Sequence, residues 1–166
     1  MSRTLIELNR LRQAAFVDVL RTIYEETPYV AKQVWRDRPF NSLSHLHQKM
    51  SAVVEQMSEA EQLALIRAHP ELGANVKMAE ASVKEQAGAG LGQMDEAERD
   101  RLAELNATYR SKFGFPFVMA VKGYGKAEIL AALEERLEND LEEERGRSLA
   151  EINKIARLRL EELISE

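Results

Sequence analysis

The chain has 166 residues, 45% of them apolar and 31% charged, with a formal net charge of −5. That size and balance suit one globular domain with a real core, and the acidic balance without a basic stripe argues against a dedicated nucleic-acid binder. With no cysteine, disulfides, thiolate nucleophiles and Cys-ligated zinc are excluded.

No apolar run approaches the ~20 residues of a membrane span. The first dozen residues lack the apolar stretch of a secretory signal, and Ile164-Ser165-Glu166 is not a peroxisomal address. The expectation is a cytoplasmic protein with no membrane or nucleic-acid partner.

Leu5, Leu8, Leu11, Ala15, Val19 and Ile23 recur at helical spacing, which predicts one amphipathic helix over residues 4–26. Thr27-Pro28 reads as an N-cap with proline at the first helical position, opening a short helix to about Arg36. Arg38-Pro39-Phe40 breaks it. Ser42 caps the next helix, with Leu43, Leu46, Met50, Val53, Val54 and Met57 facing inward. Ser58 and Glu61 spell a capping box. The helix they start buries Leu63 and Ile66 and runs out at His69-Pro70. Ser82 and Glu85 have the same spelling.

Residues 86–94 hold three glycines and read as a loop. Asp95 and Glu98 open a helix with Leu102, Leu105 and Tyr109 on one face. Residues 113–121, Phe-Gly-Phe-Pro-Phe-Val-Met-Ala-Val, are a dense apolar run in which Gly114 and Pro116 oppose a helix. The run is expected to pass extended through the interior, and a Gly123-Tyr124-Gly125 turn follows. Residues 126–145 read as one helix with Ile129, Leu130, Leu133, Leu137 and Leu141 as its stripe, ended by Gly146. Ser148 and Glu151 form a further box before a last helix that buries Ile152, Ile155 and Leu163. The reading is all-α: a single compact domain over residues 1–166, of about eight helices, with the Phe-Gly-Phe-Pro-Phe-Val segment through its core.

Three features can carry chemistry. His69 stands where a helix stops and proline follows, so it is presented at a helix end, a position suited to a general acid or base. Ser82 and Glu85 read by spacing first as a helix cap; with Gln86 and the glycine-rich loop beside them they can also offer donors and acceptors to a small polar ligand. The backbone of the 113–121 run has N–H and C=O groups that no helix satisfies, and a polar ligand is one possible partner. Arg157 and Arg159 are both candidates to grip a carboxylate or carbonyl, and spacing does not choose between them. His45 and His47 are two apart and diverge on a helix, so no metal site is expected. A non-enzymatic helical module and a metal-dependent hydrolase stand as alternatives.

Several of these motifs occur together and in order. They are His-Pro-Glu-Leu-Gly at 69–73, Ser-x-x-Glu-Gln at 82–86 with Ala89-Gly90-Leu91, Asn106-x-x-Tyr109-x-x-Lys112 running into Phe-Gly-Phe-Pro-Phe-Val, and Glu151-Ile-x-Lys-Ile-Ala-x-Leu-Arg159-Leu160. The set resembles the 2-oxo-4-hydroxy-4-carboxy-5-ureidoimidazoline (OHCU) decarboxylases from the first helix to the last. The resemblance implies a homodimer that forms (S)-allantoin in the last step of urate breakdown, functionally linked to the 5-hydroxyisourate hydrolase of the preceding step. It implies His69 as the catalytic acid, and Glu85 is expected to act with it as the second catalytic residue. Pro70, Ser82, Val83, Lys84, Glu85 and Gln86, the backbone of Phe117, Val118, Met119, Ala120 and Val121, and Arg159 would bind substrate. No metal or cofactor is implied. The substrate carries its own electron sink, an imine beside the carbon that loses carbon dioxide, in place of the sink other decarboxylases borrow from a cofactor.

Overall fold

The computed structural model of the protein describes residues 3–73, 85 and 90–166. Among these are eight α-helices: α1 (Leu5–Asn9), α2 (Gln13–Leu20), α3 (Tyr29–Val34), α4 (Leu43–Gln56), α5 (Glu59–Ala68), α6 (Glu96–Phe113), α7 (Lys126–Arg136) and α8 (Leu141–Leu163). Two 3-10 turns, Trp35–Asp37 and Leu91–Gln93, accompany them. A two-residue parallel pairing of β1 (Arg3–Thr4) with β2 (Ile164–Ser165) is the only sheet among the described residues. The fold is all-α, as its helical periodicities predict. The chain divides into two compact units, Met1–Leu65 with Asn153–Glu166, and Ile66–Ile152.

In the first unit the helix expected over 4–26 is interrupted. Arg12 is extended, at φ −69° and ψ 161°. The carbonyls that would continue the helix are taken by tertiary donors. Arg38 Nη1 donates to the carbonyls of Asn9 and Leu11, 3.0 Å each, and the Trp35 indole donates to Leu11 at 3.0 Å. The Asn9 amide pairs with both backbone groups of Phe40. The break resets the helical phase, so α2 buries Phe16 and Leu20 in place of Ala15 and Val19. Thr27 does not cap α3; its hydroxyl donates to the Glu25 carbonyl at 2.6 Å, and Pro28 itself precedes the helix. Ser42 does cap α4, accepting from His45 N–H at 3.0 Å. That helix buries Leu43, Leu46, Met50 and Val54, while Val53 and Met57 are half-buried. The Ser58–Glu61 box forms in both directions, at 3.1 and 3.0 Å.

In the second unit Asp95 and Glu98 cap α6 reciprocally, and Leu102, Leu105, Tyr109 and Phe113 are buried along it. Gly114 ends the helix at φ +79°, a left-handed conformation that glycine adopts without strain. Residues 115–121 are neither helix nor strand, and all but Pro116 are buried. The Tyr109 ring lies 4.6 Å from Phe113 and 5.4 Å from Phe117, centroid to centroid.

The long helix expected over 126–145 is two helices. α7 stops at Arg136, and Asp140 starts α8 with a capping box to Glu143 that the leucine stripe concealed. The Lys112 ammonium donates to the Leu137 carbonyl in the gap. α8 then runs through Gly146 without a break. Leu141, expected in the stripe, is exposed. Ser148, expected to open a helix, lies buried in the middle of one.

Candidate active site

His69 follows the last residue of α5, and its N–H still donates to the Ile66 carbonyl at 3.2 Å. The proline behind it prevents another helical turn. The imidazole is buried, at 6% exposure. The turn that follows is tied down. Asn106 Nδ2, from α6, donates to the Leu72 carbonyl at 2.9 Å. Gly73 sits at φ +70°, where an added Cβ would lie 2.6 Å from Leu102 Cδ2. Glycine is favoured there by its left-handed conformation, and a larger residue would also have to displace the end of the Leu102 side chain.

A cleft of about 410 Å³ opens at this turn, lined by Arg67, His69, Glu71, Arg110 and residues 114–116. Arg67 Nε donates to the Gly114 carbonyl at 3.1 Å, and Arg110 pairs with Glu71. Two guanidinium groups and one carboxylate thus stand beside the histidine, against the apolar faces of Phe115 and Pro116. Sequence reasoning did not single out Arg67, Glu71 or Arg110, because surface charges near a helix end carry no signal of their own.

The backbone of 117–121 is held by buried polar side chains. Arg136, 3% exposed, donates from Nη1 to the Val118 carbonyl at 2.7 Å, from Nε to Glu144 at 2.8 Å and from Nη2 to Ser148 at 3.2 Å. Its guanidinium lies 4.5 Å from the Phe117 ring centroid, a cation–π contact. Glu144, wholly buried, also accepts from the Tyr109 hydroxyl at 2.5 Å and from Asn139 at 2.9 Å. Burial, then the bond to Glu144, push the Tyr109 phenol well above its ordinary value. Further along α8, Glu151 Oε1 accepts from the Ala120 N–H at 3.1 Å, while Oε2 stands 3.4 Å from Arg147. Two of the backbone groups that a ligand might have claimed are therefore satisfied by the protein itself.

Of the other expected site residues, Pro70 and Glu85 are half-buried. Ser82, Val83, Lys84 and Gln86 lie outside the described residues. Arg159 belongs to the first unit and is buried, donating to the Thr22 carbonyl and to Glu25, 2.9 Å each. The structure distinguishes it from Arg157, which spans Glu161 and Ser44 at the surface. His45 accepts from the Asn41 N–H, and His47 Nε2 lies 2.7 Å from the Asn153 carbonyl. No cluster of three potential metal ligands occurs among the described residues. No described helix is long and apolar enough to cross a membrane.

A buried histidine at a helix stop, opening on a cleft of small-molecule size, suits an all-α enzyme with a small organic substrate. Residues 9–161 match the model of the OHCU decarboxylase family, and the chain belongs to that family. It is 44% identical over 164 residues to the 2-oxo-4-hydroxy-4-carboxy-5-ureidoimidazoline decarboxylase of Halalkalicoccus jeotgali, covering 98% of this chain and 93% of that one. It is 42% identical to the uric acid degradation bifunctional protein PucL of Bacillus subtilis, where 98% of this chain matches only 33% of the longer relative. Among solved structures, the crystal structure of (S)-allantoin synthase superposes with a TM-score of 0.81 at 30% identity, over 97% of this chain and 54% of that chain.

Proposed function

We propose that this protein decarboxylates OHCU to (S)-allantoin and carbon dioxide, protonating the product on one face. The observation that carries the reading is the end-to-end likeness to a decarboxylase of that substrate, with His69 among the residues that line a cleft.

The chemistry divides into two steps. The bond to the carboxylate breaks, and its electron pair moves into the adjacent imine, leaving an enol-like intermediate. A proton then adds to the carbon bearing the ureido group. Spontaneous breakdown gives racemic allantoin, so the protein must control which face receives the proton.

In this reading His69 and Glu85 act at the carboxylate side. A carboxylate beside an imidazole favours the imidazolium and keeps a proton at hand. Glu85 near the substrate carboxylate also disfavours the charged ground state and favours departure of neutral carbon dioxide. Pro70, Ser82, Val83, Lys84, Gln86 and the backbone of 117–121 shape and orient the site, and Arg159 holds a polar group of the ring. The enzyme works as a homodimer and takes its substrate from the 5-hydroxyisourate hydrolase step; the family likeness supports both. The test adds protein to freshly made OHCU and follows allantoin by circular dichroism. A single enantiomer forming faster than the spontaneous rate is expected. His69→Asn and Glu85→Ala should each lower the rate by about 10²–10⁴-fold. Wild-type rates in either variant would refute the assigned roles, and racemic product from the wild type would refute the function.

A further inference from the structure

The cleft at His69 carries more positive than negative charge, on a chain whose net charge is −5. Its described lining holds two guanidinium groups, Arg67 and Arg110, and one carboxylate, Glu71. The two arginines are not equivalent. Arg110 is paired with Glu71, so its charge is answered within the lining. Arg67, in the last turn of α5, makes one bond, from Nε to the Gly114 carbonyl at 3.1 Å. Its Nη1 and Nη2 have no hydrogen-bond or ion-pair partner among the described residues.

That single bond orients the group. A guanidinium is a planar fork of N–H donors. With Nε on Gly114, the edge formed by Nη1 and Nη2 is left over, two parallel donors matched to a carboxylate. Gly114 ends α6 in its left-handed conformation, so the carbonyl that orients the fork is itself fixed by a helix stop. Phe115 and Pro116 line the same cleft, and apolar walls strengthen the pull of a cation on an anion. The OHCU substrate carries a carboxylate, ionised at neutral pH. In the reading above Glu85 repels that carboxylate, so binding needs a cation elsewhere to bring the anion in.

We propose that Arg67 is a substrate-binding residue whose Nη1–Nη2 edge captures the carboxylate of OHCU at the cleft that His69 lines. This rests on the OHCU decarboxylase reading and adds to it the group that selects substrate over product. The role is capture and not bond breaking. The negative charge leaves the carboxylate for the ring as carbon dioxide forms, so the grip is no stronger in the transition state than in the ground state. The same loss of charge leaves allantoin, which is neutral, without a hold on Arg67, and the cleft is freed after turnover.

The test separates capture from fold. Arg67→Gln removes the charge and keeps a polar side chain. The KM for OHCU should rise about tenfold with kcat not lowered. Inhibition by (S)-allantoin, which lacks the carboxylate, should be unchanged. Arg67→Lys, which keeps the charge without the fork, should fall between Arg67→Gln and the wild type. Arg101→Gln makes the same change of charge on α6, outside the described lining of the cleft, and should leave KM as it was. In the wild type, kcat/KM should fall as ionic strength rises from about 0.01 to 0.15 M and the Debye length shortens from roughly 30 to 8 Å. A folded Arg67→Gln protein with wild-type KM overturns the proposal. So does one that loses OHCU and (S)-allantoin binding alike, or an Arg101→Gln protein whose KM rises as much. A wild-type kcat/KM indifferent to salt also overturns it, and decides the matter even where Arg67→Gln fails to fold. A wild-type protein that leaves OHCU decay unaccelerated and its product racemic defeats the activity reading instead, which separates the two failures.

Discussion

Replacing Arg136 by methionine isolates the largest electrostatic commitment in the second unit. Methionine keeps most of the alkyl stem and removes the guanidinium. The change deletes bonds to Glu144 at 2.8 Å, the Val118 carbonyl at 2.7 Å and Ser148 at 3.2 Å, and the cation over Phe117. Glu144 would keep Tyr109 and Asn139 as donors but would lose its countercharge, at zero exposure. Breaking a buried pair by removing one partner costs about 3–5 kcal/mol, a large part of the ~5–15 kcal/mol that holds a typical domain together. At roughly 2–4 °C per kcal/mol for a chain of this size, the melting temperature falls by about 6–20 °C. Urea denaturation followed by far-UV circular dichroism supplies the free energy. Two comparisons test the argument. Arg101 lies 3.0 Å from Glu134, nearly the same distance, but both side chains are about half exposed; Arg101→Met should cost no more than ~1 kcal/mol. The double variant Arg136→Met/Glu144→Leu replaces the whole pair with apolar side chains and should recover much of the single variant's loss. A loss below about 1 kcal/mol for Arg136→Met, or a double variant no better than the single, would refute the view that burial sets the value of this pair.

Two further predictions concern pH. The carboxyls of Glu61, Glu98 and Asp140 are held below their ordinary values, by the Ser58 backbone N–H, by Lys126 and by the Glu143 backbone N–H respectively. Their contribution is present above the ordinary values of 4.5 and 3.8 and is lost as pH falls through the lowered ones. The triple variant Glu61→Gln/Glu98→Gln/Asp140→Asn should therefore show a flatter decline of urea midpoint below pH 4.5 than the wild type; an equally steep decline would refute it. Burial raises the phenols of Tyr24 and Tyr109 above the ordinary 10.0, so stability is intact below pH 10 and falls as pH rises beyond it. Phenolate absorbance lost in Tyr24→Phe and Tyr109→Phe should be absent from the folded wild type just above pH 10 and should appear only with unfolding. Ionisation of either residue in the native state would count against its burial as the cause.

Local rules read this chain well where one residue's job is done by its neighbours. Ser58 and Asp95 cap because each oxygen finds an N–H three residues on, with a glutamate to answer it. His69 could be placed at a helix end for the same reason, since the proline beside it acts on its own backbone. The non-helical character of 115–121 was legible from Gly114 and Pro116. What the sequence hid was where polar atoms go when a distant partner competes. Ser148 and Glu151 have the spelling of a cap, yet Ser148 accepts from Arg136 and Glu151 from the Ala120 N–H. The helix expected over 4–26 failed likewise, because Arg38 and Trp35 captured its carbonyls. A signal was present, in retrospect. Glu144, Ser148 and Glu151 share a helical face with Ile152 and Ile155, which are buried. Polar groups in the phase of a core stripe must be satisfied by something brought there in the fold. Here the groups brought to them are the guanidinium of Arg136 and the backbone of the segment assigned to the substrate. The polar stripe that a local reading treats as a helix start is therefore the frame on which the candidate site is hung.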